Sequence, residues 1–191
     1  MSKISHYAAA FNVLGICYLF SPDDDSNRVA MRLFTQPGFA QQWPCEVDEA
    51  LRTQLSSAVS CGSETLKAAW QDLFAGPGAL PAPPWGSVYQ DAEGLLQGDS
   101  TLALNAFLKQ ERLKLSTAYP EPADHIGLIL FQAAVLASEM RAPAVNTLLS
   151  QHLLTWLPHY AERLNAHGHS PFYSALTQLA LVTARAFVKH K

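Results

Sequence analysis

Charge, cysteine and long apolar runs are all scarce in this 191-residue chain. Each scarcity excludes a class of protein. Only 15% of residues are charged against 49% hydrophobic, so the chain is no disordered or charged tail, and it is long enough to bury a substantial core. The formal net charge is −3, with lysine and arginine clustered nowhere. That removes the electrostatic footprint of a nucleic-acid binder. Three cysteines, Cys17, Cys45 and Cys61, form no CxxC pair and no zinc-ligand spacing with histidine, which points to a reducing cytoplasm rather than a disulfide framework. The apolar stretch Ala8–Phe20 could pass for a signal-peptide core, but no small-residue cleavage site follows. Tyr7, Phe11, Leu14 and Tyr18 instead recur at helical spacing. No apolar run reaches the length of a transmembrane segment.

Basic residues are missing altogether between Lys67 and Lys109, where Asp72, Asp91, Glu93 and Asp99 fall. A cationic ligand would suit that third of the chain, although such acids also occur on any solvated face. Catalytic signatures are equally absent: no GxxxxGK[ST] phosphate cradle, no HExxH, and no GxSxG elbow at Gly86-Ser87.

What is present is helical periodicity broken by Pro and Gly. The pattern predicts helices over about Ser5–Phe20 and Asn27–Thr35, the latter with Val29, Leu33 and Phe34 as its apolar positions, and over about Val47–Val59. A further helix capped by Ser63 turns Leu66, Trp70, Leu73 and Phe74 inward, and another runs from Thr101 to about Leu113 with Asp99 or Ser100 as cap. Pro122 and Asp124 read as the start of a central helix, apolar on nearly all sides, through Ile126, Ile129, Ala133 and Ala137. Pro143 starts a run to Trp156, Pro158 breaks it, and Ser170-Pro171 opens the C-terminal helix. The expectation is an all-α fold, a single-domain helical bundle over residues 1–191 with a long proline-rich loop near its middle.

That loop is the most informative stretch. Pro77, Pro81, Pro83 and Pro84 fix their own φ and push the preceding residues to extended conformations, so Trp85 sits on a chain with few states to lose. Two readings stay open: a rigid aromatic offered for binding, or a helix crossing whose Trp85 is core. The neighbouring pair Asp124-His125 could tune a base or orient a ligand, or Asp124 could serve the helix terminus while His125 packs locally. If Trp70, Phe74, Trp85, Tyr89 and the acidic start of the central helix converge, they form an apolar groove with an acidic rim, suited to a peptide with a positive head and an apolar body.

Three ordered patches carry a family resemblance: Trp70-x-x-Leu73-Phe74-x-Gly76, Leu80-Pro81-Ala82-Pro83-Pro84-Trp85-Gly86-Ser87-Val88-Tyr89, and Glu121-Pro122-Ala123-Asp124-His125. With Gly98-Asp99-Ser100-Thr101-Leu102-Ala103-Leu104 they make the whole chain resemble the TorD/DmsD/NarJ chaperones of redox-enzyme maturation, most closely the DmsD branch. The resemblance implies a cytoplasmic, non-catalytic chaperone without cofactor. It would bind the twin-arginine signal peptide of a molybdopterin reductase subunit of the dimethyl sulfoxide reductase type, and delay Tat export until the cofactor is inserted. Tat translocon components are implied as further partners.

The family's peptide site maps onto Leu73, Phe74, Pro84, Trp85, Ser87, Gly98, Glu121, Pro122, Asp124 and His125, to which the residue pattern adds Trp70. Gly78 stands where the branch leads one to expect a bulky aromatic, implying a roomier groove or a different client. Guanine-nucleotide binding is associated with some members, and no motif here supports it. From other classes, a small metal- or nucleotide-dependent hydrolase using Asp124 and His125, or a helical structural subunit, are the alternatives.

Overall fold

In the computed structural model, which describes residues 2–92, 96, 98–113 and 121–189, the elements are helices throughout. They are α1 (Lys3–Leu19), α2 (Asp25–Phe34), α3 (Phe39–Gln42), α4 (Glu49–Ser60), α5 (Ser63–Trp70), α6 (Ser87–Gln90), α7 (Asp99–Gln110), α8 (Ile126–Ser138), α9 (Ala142–Thr147), α10 (Leu157–His167) and α11 (Pro171–Lys189). Two π-helical turns, Gln71–Ala75 and Leu148–Leu153, continue α5 and α9. The all-α expectation holds, with the proline-rich loop between Ala75 and α6. Glu93 of the acidic group lies outside the described residues.

The centre is the pairing of α1 with α8. Ten of the thirteen residues of α8 are buried, including Ile126, Ile129, Leu130 and Ala133, and α1 contributes Tyr7, Phe11, Leu14 and Tyr18. Glycines let the backbones approach: a Cβ on Gly127 would stand 2.6 Å from Leu19 Cγ, and one on Gly15 3.0 Å from the Gly127 carbonyl oxygen. Around this pair α11 packs Phe172, Tyr173, Leu176 and Leu179, and one hydrophobic cluster runs from Tyr7 to Ala184. Two buried hydrogen bonds fix α11, Tyr18 to Thr177 across their hydroxyls at 2.7 Å and Trp43 Nε1 to Thr183 at 2.9 Å.

Several local expectations are corrected. Gly62, at φ 104, is the N-cap of α5, and Ser63 is its first helical residue. Val29 points to solvent at 69% exposure, leaving Asn27, Ala30, Met31 and Phe34 to face inward. Helix α7 ends at Gln110 rather than near Leu113. Neither Asp99 nor Ser100 caps it: Gly98 is its N-cap, and the free amide of Ser100 donates to Asp91 Oδ1 at 3.0 Å. Pro158 breaks one helix by sitting in the first turn of the next. The short α3 and α6 carry too few residues for a readable period.

The largest correction concerns α8. It begins at Ile126, not at Pro122, and its N-cap is His125, whose Nδ1 accepts from the Gly127 amide at 3.1 Å. Pro122 instead closes a tight turn, its carbonyl accepting from the His125 amide at 3.0 Å.

Candidate functional site

The site is built where the proline-rich loop is stitched to the start of α8. The Ile126 amide donates to the Pro84 carbonyl at 2.9 Å and the Gly86 amide to the Asp124 carbonyl at 3.1 Å, so Trp85 and His125 face each other as an isolated antiparallel bridge. The Asp124 carboxylate adds a third tie, Oδ2 accepting from the Ser87 amide at 2.8 Å. Asp124 therefore does what an acid at a helix start does, satisfying a free N–H. The N–H belongs to α6, however, and not to its own helix.

Further ties hold the loop from outside. Tyr89 donates its hydroxyl to the Pro83 carbonyl at 2.9 Å and stacks on Trp156 with ring centroids 5.8 Å apart. Arg163 Nε donates to the Pro81 carbonyl at 2.8 Å. A cation from α10 thus folds over a segment that carries none of its own. Gly86 lies so close to the Trp156 indole that a Cβ there would be 2.7 Å from Nε1.

On this frame the aromatic surface assembles. The π-helical turn carries Leu73 into the core and leaves Phe74 half-buried, with its ring 5.0 Å from Tyr173, 5.8 Å from Tyr18 and 6.5 Å from His125. Trp70 packs 6.3 Å from Phe74 and donates its indole N–H to the Tyr18 carbonyl at 3.0 Å. The Trp85 ring lies edge-on to His125 at 6.0 Å and donates Nε1–H to Glu121 Oε2 at 3.0 Å.

The structure therefore gathers Trp70, Leu73, Phe74, Pro84, Trp85, Ser87, Glu121, Pro122, Asp124 and His125 into one cluster. They divide by exposure: Leu73, Pro84, Ser87, Asp124 and His125 are buried, while Trp70, Phe74, Trp85, Glu121 and Pro122 reach the surface. Gly98 stands apart at the start of α7, where a Cβ would run into the Asp91 carboxylate. Gly78 is exposed, and among the described residues nothing lies within 4 Å of a Cβ placed on it. Tyr18, Tyr173, Arg163 and Trp156 escaped the sequence reading, since all four reach the site across long sequence separations that leave no local pattern.

The chemistry available is that of a clasp rather than of a base. His125 is 3% exposed, and this burial lowers its pKa to about 3, so the ring is neutral. With Nδ1 accepting, its proton sits on Nε2. Asp124 and His125 serve different donors and do not act on each other. Among the described residues no three His, Cys, Asp or Glu side chains gather to hold a metal ion.

A family model described as nitrate reductase delta subunit matches residues 40–162, which include every residue of this cluster. The chain belongs to that family. It is also 38% identical over 177 residues to the Tat proofreading chaperone DmsD of Salmonella typhi, covering 93% of this chain and 86% of that one. The chaperone protein TorD of Shewanella loihica is 32% identical over 122 residues, 61% of this chain and 58% of its own. Among solved structures, an Archaeoglobus fulgidus protein described as of the redox-enzyme-maturation type aligns with TM-score 0.59 over 95% of this chain and 91% of that one, at 20% identity. That last likeness supports the helical fold alone.

Proposed function

We propose that this member of the nitrate reductase delta subunit family is a Tat proofreading chaperone, without catalysis of its own, that binds the twin-arginine signal peptide of a molybdopterin reductase precursor. Residues 1–191 act as one chaperone domain, and binding delays export through the Tat translocon until cofactor insertion is complete. The reading rests on near full-length similarity to chaperones of that name. Among the described residues no helix is long and apolar enough to cross a membrane. A chaperone that holds precursors before export would act in the cytoplasm.

The single observation that carries the site is the clasp of Trp85 between His125 and Glu121. It presents an aromatic ring and a carboxylate together, beside Phe74 and Trp70, at a fixed spacing. The apolar body of a leader would lie against Trp70, Phe74, Trp85 and Pro122, and its arginines would meet Glu121. The buried Leu73, Pro84, Ser87, Asp124 and His125 hold that surface in shape, and Gly98 seats the start of α7 against Asp91, just after α6.

Calorimetric titration with synthetic twin-arginine leaders tests this. Trp85→Ala removes most of a large aromatic contact and should weaken binding by about 2 kcal/mol, roughly thirtyfold. Trp85→Phe, which keeps the ring but frees Glu121, should lose less. Unchanged affinity in both variants would remove Trp85 from the site. A leader with both arginines replaced should bind more weakly than the native one by the charge-dependent share.

A further inference from the structure

Two apolar-walled cavities lie at the opposite end of α1. Between the first turns of α1, the start of α9 and the last turns of α11 runs a cavity of about 510 Å³, walled by Ile4, Tyr7, Pro143, Thr147 and Phe187 with Lys3 at its mouth. Across Lys3 lies another, of about 630 Å³, bounded by His6, Val13, Phe39 and Trp43. The two meet at Lys3, which lines both, and each has the roughly 300–1,000 Å³ size of a ligand-binding cleft. Tyr7 and Tyr18 are eleven residues apart on one helix, which sets them about 16 Å along α1 from the aromatic cluster.

Three features mark them as more than an imperfection of packing. The first is charge: Lys3 lines both cavities, neither lining contains an acid, the first turn of α1 carries none, and Lys3 makes no ion pair among the described residues. The second is Tyr7, whose ring packs edge-on to Phe187 at 5.0 Å while its buried hydroxyl has no hydrogen-bond partner among the described residues.

The third is Met140, between α8 and α9. It holds a left-handed backbone at φ 60, where glycine or asparagine would be at ease, yet its side chain is 57% exposed. Its sulfur lies 3.8 Å from the hydroxyl of Ser2, the residue before Lys3, and Met140 itself stands two residues before Ala142 of the first cavity's lining. The left-handed turn is the closure of α8, with the Met140 amide donating to the Ala137 carbonyl at 3.1 Å and the Arg141 amide to the Leu136 carbonyl at 2.9 Å. The flexible thioether it leaves exposed near an apolar cavity suits contact with another chain.

We propose that the two cavities act as one groove that docks an apolar peptide segment carrying an acidic side chain, its apolar residues on Ile4, Phe187 and Met140 and its carboxylate on Lys3. The opposite sign of charge separates it from the leader site, whose rim is acidic. The two surfaces can therefore hold two different segments of a partner at once. Nothing in this assignment depends on the leader reading.

The test uses methyl-labelled full-length protein, followed by NMR through the methyls of Ile4, Ala142 and Thr147. The probe is a capped dodecapeptide with leucines at i and i+4 and glutamate at i+3, against the same peptide with lysine for glutamate. The glutamate peptide should shift these methyls and leave the Trp85 indole unmoved. Lys3→Glu should weaken it roughly three- to tenfold. Met140→Gly should weaken it as well while leaving thermal stability equal or higher, because glycine accepts the positive φ freely.

Absence of groove shifts at about 1 mM peptide, equal binding of the lysine peptide, or indifference to Lys3→Glu would overturn the proposal. So would groove shifts that depend on protein concentration without peptide, which would assign the groove to a second copy of the chain. A twin-arginine leader titrated in parallel reports on the Trp85 indole, so failure of the leader reading is seen separately.

Discussion

Protonating His125 should open the clasp, and the size of the effect follows from its burial. The ring is 3% exposed and its pKa is held at about 3 in the folded state, against about 6.5 in an unfolded chain. Between those values the unfolded state binds the proton and the folded state does not. Stability is therefore fully present above about pH 6.5 and falls as pH drops towards 3, by about 1.4 kcal/mol per unit. From pH 7.5 to pH 5 the loss comes to about 2 kcal/mol, a large share of the roughly 5–15 kcal/mol expected for a domain. Protonation at Nδ1 would also turn the acceptor of the Gly127 amide into a second donor and uncap α8. The assay is urea unfolding followed by circular dichroism at pH 7.5 and 5, for the native protein and His125→Asn, since asparagine can cap without titrating. Above pH 5 most carboxylates stay ionised, and the half-buried His152, whose pKa burial also lowers, is common to both proteins. The native protein should lose about 2 kcal/mol more than the variant over that interval. Equal losses in the two proteins would refute the reasoning, because they would mean that His125 is solvated or already charged.

Two other substitutions probe the same frame. Asp124→Ala leaves the buried Ser87 amide without its acceptor and should cost about 2 kcal/mol, lowering Tm by roughly 4–8 °C with leader affinity falling alongside. A normal Tm in that variant would show that water replaces the carboxylate freely. Gly127→Ala places a Cβ 2.6 Å from Leu19 Cγ and 3.1 Å from Tyr18 Cβ; overpacking should outweigh the gain in helix propensity and leave a net loss of about 1 kcal/mol in chemical unfolding. A stabilised variant would mean that α1 and α8 are free to separate.

Helices with a clean period were legible because burial and periodicity coincide in them. In α8, apolarity on nearly every side marked the centre of the bundle, and ten buried residues of thirteen bear that out. The start of that helix was misplaced for an instructive reason. Pro122 and Asp124 are strong start signals, and their local chemistry was read correctly: an acid seeks free N–H groups. The donor it meets is the Ser87 amide, 37 residues away, and the cap falls to His125. Likewise Trp85 was legible as a rigid aromatic, but its partners were not. The bridge to His125 and the bond to Glu121 are tertiary contacts with no period to announce them. Of the two readings offered for Trp85, the fully buried core residue is set aside, since its ring is only half-buried on the loop's frame.

On the proposed reading, rigidity and binding belong together at Trp85. Holding a residue in one backbone conformation costs about 1–2 kcal/mol. In the loop that cost is met during folding, by its prolines and by the ties from Ile126, Asp124, Tyr89 and Arg163. A partner arriving at Trp85 has no loop left to order, so contact area passes more fully into affinity. The π-helical turn at Gln71–Ala75 works in the same direction. It puts Leu73 in the core and Phe74 against Tyr173, and such turns recur at functional sites because they re-aim side chains at the expense of regular bonding. Adaptability must then come from the side chains at the rim, above all from Glu121. Its tie to Trp85 uses one carboxylate oxygen and leaves the other for a cation.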